Sequence, residues 1–183
     1  MRIIGGSLKG RTLFPADLTA RPTTDFAKEG LFNILANEYD FENLHVLDLF
    51  GGSGSISFEF ASRGCPHVTC VEMNPQHAAF IKKTALQLNL NAIRVVRHNV
   101  FDFIPICTQT YDLIFADPPY NLHQLETLPQ KIQTAQLLRA NGLFILEHSA
   151  SFDFTGAPEF CKAKKYGNVH FSFFSFAQSQ ARV

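Results

Sequence analysis

The chain contains no tryptophan and has only two methionines and four cysteines among its 183 residues. Cys65, Cys70, Cys107 and Cys161 form no C-x-x-C pair and keep no metal-like spacing with the seven histidines. That pattern excludes zinc modules and a disulfide framework, so reduced thiols and no metal are expected. No apolar run approaches the ~20 residues that cross a bilayer, and the opening MRIIGGSLKGRTLF lacks an apolar core of signal-peptide length. A cytoplasmic protein with no membrane partner is therefore expected. Charge bias is also missing, since 16 basic residues balance 16 acidic ones. With 46% hydrophobic and 17% charged residues, nothing favours disorder. What the chain has in abundance is phenylalanine, at 19 copies. The length suits one core, with a monomer as the default state.

Neutrality conceals a polarity along the chain. Arg2, Lys9 and Arg11 precede the first acid, Asp17, and Lys162, Lys164, Lys165 and Arg182 follow the last, Glu159. Between residues 101 and 160, Asp102, Asp112, Asp117, Glu126, Glu147, Asp153 and Glu159 face only Lys131 and Arg139. Basic ends around an acidic middle suit a polyanionic partner gripped by the termini.

The patterning divides near residue 20. Residues 1–20 read as a basic hairpin extension, with RIIGG and GRTLF flanking the turn-forming GGSLKG. Residues 21–183 read as one α/β domain. Its first helix, TDFAKEGLFNILANEY, carries Phe26, Leu31, Ile34 and Leu35 at helical spacing behind a cap at Thr24 or Asp25. Short, fully apolar strands then alternate with helices: HVLDLF, SISFEFASRG, HVTCVE, PQHAAFIKKTALQLNL, IRVVRH, YDLIFA and LFILEH. Strands apolar on both faces imply a parallel sheet covered on both sides by helices, a Rossmann-like doubly wound fold. The tail EFCKAKKYGNVHFSFFSFA adds two strands joined at YGN, a late antiparallel pair.

Such sheets bind ligands where their strands exit near the reversal of strand order. The first exit reads LDLFGGSGS, and Gly51, Gly52, Ser53 and Gly54 allow a tight turn and close approach of backbone to ligand. A dinucleotide fingerprint needs G-x-G-x-x-G/A, yet counting from Gly52 the last position is Ser57. Asp48 would repel a pyrophosphate but suits the ammonium and sulfonium of S-adenosylmethionine. Glu72, 18 residues after Gly54, ends the second strand where a carboxylate accepts from ribose hydroxyls. Met73, Asn74, Asn99 and Val100 are placed for the adenine, with Asp102 an alternative to Asn99.

DPPY, residues 117–120, leaves the fourth strand through a carboxylate, two prolines and an aromatic ring, a corner that continues neither ladder nor helix. A nucleobase amine is a poor nucleophile because its lone pair is delocalised. Asp117 and the Pro118 carbonyl could accept its two N–H hydrogens, Tyr120 could stack on the base, and Pro118 and Pro119 would keep the acceptors fixed. The fourth strand is expected beside the first, which would set Asp117 against the donor as well. The proton shed by the product has two destinations, Asp117 or water.

These segments together resemble the bacterial ribosomal RNA guanine-N2 methyltransferases of the RsmD type, which modify 16S RNA. RIIGGSLKGRTL, RPTTDFAKEGLFNIL, VLDLFGGSGSISFEFASRG, VEMNP, FADPPY and KKYGNVHFSFF look like that family's segments in order, and the first two are its most specific marks. The resemblance implies a class I methyltransferase fold with a mostly parallel seven-stranded sheet, S-adenosylmethionine as donor and an exocyclic guanine amine as acceptor. The partner it implies is 16S ribosomal RNA, within the small subunit or an assembly intermediate. It also implies that Arg21, Pro22, Thr23 and Thr24 cover the pocket, Thr23 towards the cofactor and Arg21 and Thr24 towards RNA, while Arg2, Lys9 and Arg11 touch RNA. Gly51 stands where the family usually has Ala, read as added flexibility, and Asn99 replaces the more usual acid. Two rivals remain: a DNA adenine-N6 methyltransferase, which needs the same corner, and a nucleic-acid-binding module without catalysis.

Overall fold

The computed structural model describes residues 1–15, 24–119, 122 and 124–176. Seven strands form one sheet: β1 (His45–Leu49), β2 (His67–Val71), β3 (Ile93–Val96), β4 (Tyr111–Ala116), β5 (Leu138–His148), β6 (Phe160–Tyr166) and β7 (Val169–Phe174). Their order is β3-β2-β1-β4-β5-β7-β6. The first five run parallel, while β7 lies antiparallel between β5 and β6. Order reverses between β1 and β4, which is where a doubly wound sheet opens its ligand crevice.

Alternate strand residues face opposite sides, and each side acquires its own core. Leu47, Leu49, Ile114, Ala116, Phe144 and Leu146 pack with the short helices α4 (Val100–Phe103) and α5 (Leu128–Thr134). Val46, Leu113, Phe115, Ile145, Phe171 and Phe173 pack with α1 (Asp25–Glu38) and α2 (Ser55–Ser62). The abundance of phenylalanine is explained here, because buried rings fill both layers. Helix α3 (Pro75–Gln87) starts where Asn74 caps Gln76 and His77 with its side-chain oxygen and Pro75 occupies the first turn, a position where proline loses no helical hydrogen bond.

Three expectations change. Among the described residues the N-terminal hairpin has a single bridge, Arg2 to Thr12, because Gly6–Leu8 winds into a 3-10 turn in its middle. Phe26 does not join the core of α1 and is 66% exposed. Helices α4 and α5, four and seven residues long, are too short to show a period and escape the sequence pattern. Among the described residues no helix is long and apolar enough to cross a membrane.

The N-terminal arm docks on α2 through charge. Lys28 of α1 is 1% exposed and Glu59 of α2 fully buried. The Lys28 ammonium donates to Glu59 Oε1 at 3.2 Å and to the Arg2 carbonyl at 2.5 Å. Glu59 also accepts from Arg63 and, at 2.7 Å, from the Ile4 amide, and the Arg63 guanidinium lies 4.1 Å from the Phe32 ring centre. Leu8 N–H donates to Ser62 Oγ, which donates to the Gly5 carbonyl. Removing one member of a buried ion network strands the others without solvent, at about 3–5 kcal/mol. Glu59→Ala should therefore lower stability by about that amount in urea denaturation and speed proteolysis of residues 1–13. Lys28→Met with Glu59→Leu, which removes both buried charges, should lose much less.

Candidate active site

Two strand exits meet at one cavity of about 540 Å³, a volume suited to a small ligand. Register places Leu49 of β1 beside Ala116 of β4, so the glycine turn and the Asp-Pro-Pro corner leave the sheet side by side. The Asp117 amide donates back to the Leu49 carbonyl at 3.4 Å, and the Leu122 amide donates to the Pro119 carbonyl at 2.9 Å. The corner is thereby tied to the exit of β1 and to its own continuation.

The turn is built from positive-φ residues: Phe50 at 63°, Gly52 at 54° and Gly54 at 79°. For Phe50 the left-handed conformation is a strained one of the kind that clusters at functional sites. Gly51 N–H bonds the Val71 carbonyl at 2.9 Å and Gly54 N–H the Gly51 carbonyl at 2.7 Å. Gly51 serves space, not flexibility. A Cβ there would meet the Cys70 sulfur at 2.3 Å, so the usual Ala would fit only if the thiol beneath it shifted.

Asp48 forms the floor. It is 2% exposed, and its Oδ2 accepts from Ser57 Oγ at 2.5 Å. Ser57, the residue that spoils the dinucleotide fingerprint, is thus the one that holds the carboxylate. Burial pushes the Asp48 carboxyl up to about 7, against the lowering effect of the Ser57 hydrogen bonds, with Glu72 adding a smaller rise. Asp117 is held well above the ordinary carboxylate range, first by burial and then by the nearby carboxylates of Glu147 and Asp48. An acidic site of this kind gains on receiving a cation.

Glu72 is oriented before any ligand arrives. Its Oε2 accepts from the Gly52 amide at 2.7 Å and its Oε1 from the Asn74 amide at 2.6 Å, leaving further lone pairs for ligand hydroxyls. Two buried polar atoms without a protein partner among the described residues, Ser55 Oγ and His77 Nε2, belong to residues that line the cavity. Unsatisfied buried groups at a cavity wall are what a polar ligand would complete.

Asp48, Gly51, Gly52, Ser53, Glu72, Met73, Asn74, Asn99, Val100, Asp117, Pro118 and Pro119 all line this cavity. Gly54 stands behind it as the cap of α2. The amide oxygens expected to reach an adenine are otherwise engaged: Asn74 caps α3, and Asn99 caps α4 by accepting from Phe101 N–H at 2.8 Å. Asn99 keeps its amide nitrogen, 3.7 Å from the Met73 sulfur. Met73 is 64% exposed. Thr24 caps α1 by accepting from the Ala27 amide at 3.2 Å, and Arg2 pairs with Asp25 at 2.9 Å. Lys9 and Arg11 are exposed on the hairpin. Arg21, Thr23 and Tyr120 lie outside the described residues. Sequence reasoning missed Phe50, Ser55, Ile56, His77, Phe101, Phe115 and Leu122 as lining residues. Phe50 and Ser55, flanking the glycine turn, and Phe101, directly after Asn99 and Val100, had positions that could have given them away.

Sheet order, acidic floor and Asp-Pro-Pro corner together define an α/β protein of the methyltransferase class, and solved structures share that architecture. The putative methyltransferase yhhF from Escherichia coli matches with a TM-score of 0.83 at 29% identity, over 95% of this chain and 96% of that one. A hypothetical protein from Thermus thermophilus gives 0.85 at 27% identity, over 96% and 99%. Conserved hypothetical protein 95 is the family whose model matches residues 1–175, and this chain belongs to it. A similar curated relative is ribosomal RNA small subunit methyltransferase D of Buchnera aphidicola, 30% identical over 158 residues, 84% of this chain and 80% of the relative. The protein of that name from Escherichia coli K12 is 35% identical over 143 residues, 78% and 68%. Putative rRNA methyltransferase YlbH of Bacillus subtilis is 34% identical over 153 residues, 81% and 82%.

Two outcomes test this geometry. Gly51→Ala should cost about 1–3 kcal/mol as an overpacking change, and Cys70→Ala in the same chain should recover most of that loss, a coupling measurable in a double-mutant cycle. Asp48 supplies a pH test. Its carboxyl stays protonated in the folded state up to about 7, whereas the unfolded chain titrates near 3.8. Between these values the folded state binds more protons, so stability is fullest below the lower one and falls as pH rises through the upper one. Asp117 contributes with the same sign. Urea midpoints of the ligand-free protein should decline from pH 5 to pH 8, and Asp48→Asn should flatten the decline.

Proposed function

We propose that this protein methylates the exocyclic N2 amine of a guanine in 16S ribosomal RNA, using S-adenosylmethionine as donor. One observation carries the reading: a strand-exit corner, Asp117-Pro118-Pro119, is tied to the exit of a neighbouring strand whose buried floor is acidic. The names of the curated relatives support ribosomal RNA as the acceptor class.

Bound in the cavity, S-adenosylmethionine would supply a methyl group on a positively charged sulfonium. Asp48 and Asp117 offset that charge in surroundings where desolvation strengthens the attraction. Glu72, already fixed by two backbone amides, receives the ribose hydroxyls, and Ser55 and His77 offer their unused polar atoms. Phe50, Phe101 and Val100 supply apolar wall for the adenine.

On the acceptor side, Asp117, brought to its carboxylate form by the charge of the bound sulfonium, and the Pro118 carbonyl accept the two N–H hydrogens of the amine and turn its lone pair towards the methyl group. Pro118 is buried and Pro119 exposed, so the corner is anchored on one side and open to a base on the other. Fixed acceptors need no reorganisation at the moment of transfer, and alignment itself contributes several kcal/mol. The amine proton leaves to Asp117 or to water. Adenine in DNA would suit the same corner, but the 62 residues between Gly54 and Asp117 are taken up by α2 to β4 and their short connections, leaving no inserted segment to read a duplex.

Asp117→Asn should lower methyl transfer to ribosomal RNA by about 10²–10³-fold, measured with labelled donor, while calorimetry shows donor binding largely kept. Nuclease digestion and mass spectrometry of the product should give N2-methylguanosine. N6-methyladenosine in its place would replace this reading with the rival one.

A further inference from the structure

Gly30 sits in the middle of α1, where glycine costs about 1 kcal/mol relative to alanine. Its φ is not positive, so conformation does not require it. Space does: a Cβ would meet the Tyr166 ring at 2.1 and 2.2 Å and its hydroxyl oxygen at 2.7 Å. The helix is notched to seat a tyrosine from the end of β6. Tyr166 then meets Phe26 edge to face, with ring centres 5.7 Å apart and planes at 80°. Phe26 keeps 66% of its surface in water, although it lies in the first turn of a helix whose other large apolar residues are mostly covered.

Two lysines of β6 share the strand face of Tyr166. Lys162, Lys164 and Tyr166 alternate along β6 and share the face that meets α1. Lys162 is neutralised by Glu38 at 2.6 Å, whereas Lys164 is exposed and makes no ion pair among the described residues. Lys165, also exposed, follows on the opposite face. An exposed aromatic ring, with an unpaired cation two residues along the same strand face from the tyrosine that seats it, is a combination suited to single-stranded nucleic acid, by stacking and phosphate contact.

Register connects this surface to the acceptor corner. Ala116 pairs with Leu146, Leu146 with Ser172, and Ser172 with Ala163. Because β6 runs in the direction of β4, Tyr166 lies at the same end of the sheet as Asp117, about 14 Å away across three strand spacings and about two residues further along. Aromatic contacts continue beneath: Phe115 to Phe171 at 6.2 Å, Phe171 to Tyr166 at 6.0 Å, then Tyr166 to Phe26.

We infer that Phe26, seated on Tyr166 with Lys164 on the same face of β6, is a stacking platform for an unpaired nucleotide of the RNA a few positions from the target guanine. This rests on the RNA-methylating function proposed above and adds a second contact region, separate from the Lys9 and Arg11 hairpin. The platform reads no sequence. Stacking is tolerant of base identity, so its work is to hold the strand in register while the guanine enters the cavity.

The test uses a fluorescein-labelled, guanine-containing single-stranded RNA 12-mer, with anisotropy measured at several salt concentrations. Phe26→Ala and Phe26→Leu should each weaken binding about tenfold without changing the salt slope, since a π-face is lost and no charge. Lys164→Gln should shallow the slope by about 0.7. Calorimetric donor binding and the urea midpoint should match wild type in all three. Phe26 variants that bind the 12-mer as tightly as wild type would overturn the platform, whatever Lys164→Gln does, and leave Lys164 as a charge guarding a sheet edge. Loss of transfer to intact small subunits with unchanged 12-mer affinity would also overturn it, and assign the surface to a protein partner. In either case continued binding by wild type, weakened by Lys9→Gln with Arg11→Gln, would leave the proposed function standing. A wild-type chain that binds no RNA would remove both.

Discussion

The parallel pairing of β1 with β4 is the constraint from which the site follows. Each strand ends in a segment that the sheet cannot continue, one because glycines turn it back, the other because prolines refuse the ladder. Pairing brings the two terminations within one strand spacing, and the amide of Asp117 fastens the second to the carbonyl that ends the first. Two carboxylates from separate strands thereby share one enclosed volume. Burial raises the pKa of both, and at Asp117 the carboxylates of Glu147 and Asp48 add to the rise, so both hold protons more firmly than carboxyls in solvent do. A cationic ligand offsets the cost of ionising them there, whereas an anionic one would add to it. The sheet topology and the sign of the preferred ligand therefore have one origin.

The same logic accounts for the surrounding hydrogen bonds. Ser57 supports Asp48 from within α2, and the backbone of Gly52 and Asn74 supports Glu72. Acceptors on the ligand-facing side are thus fixed by the protein before binding, so ordering them does not have to be drawn from the binding free energy. Further out, the buried Lys28–Glu59 pair joins α1 and α2 to the N-terminal arm. Charge inside this protein serves two purposes: around the cavity it is left partly uncompensated, and beneath the arm it is fully paired.

Much of this was legible in the sequence because it rests on patterns of short range. β4 coincides with the run YDLIFA, and β1, β2, β3, α1, α2 and α3 fall within a few residues of their expected bounds, since apolar continuity and helical spacing are local properties. The cavity wall was legible for a related reason, as strand exits and glycine turns mark themselves. What stayed hidden depends on partners distant in sequence. Gly51 reads as flexible until Cys70 is found beneath it, and Gly30 reads as a weak helix residue until Tyr166, far along the chain, is seen against it. Asn74 and Asn99 look like free amides, but their oxygens are committed to helix caps. Phe26 fits the apolar spacing of α1 and yet points outward, because spacing gives the stripe but not its edge. Helices as short as α4 carry no period at all.

The fit between Gly51 and Cys70 bears on how this chain can change over time. The turn and the second strand meet at a contact where one added carbon at position 51 would collide with the thiol of Cys70. An alanine at position 51 is accommodated where that thiol turns away or gives place to something smaller. The two sites are thus expected to drift as a pair among relatives, and a stepwise route through the mismatched intermediate would be the slow one.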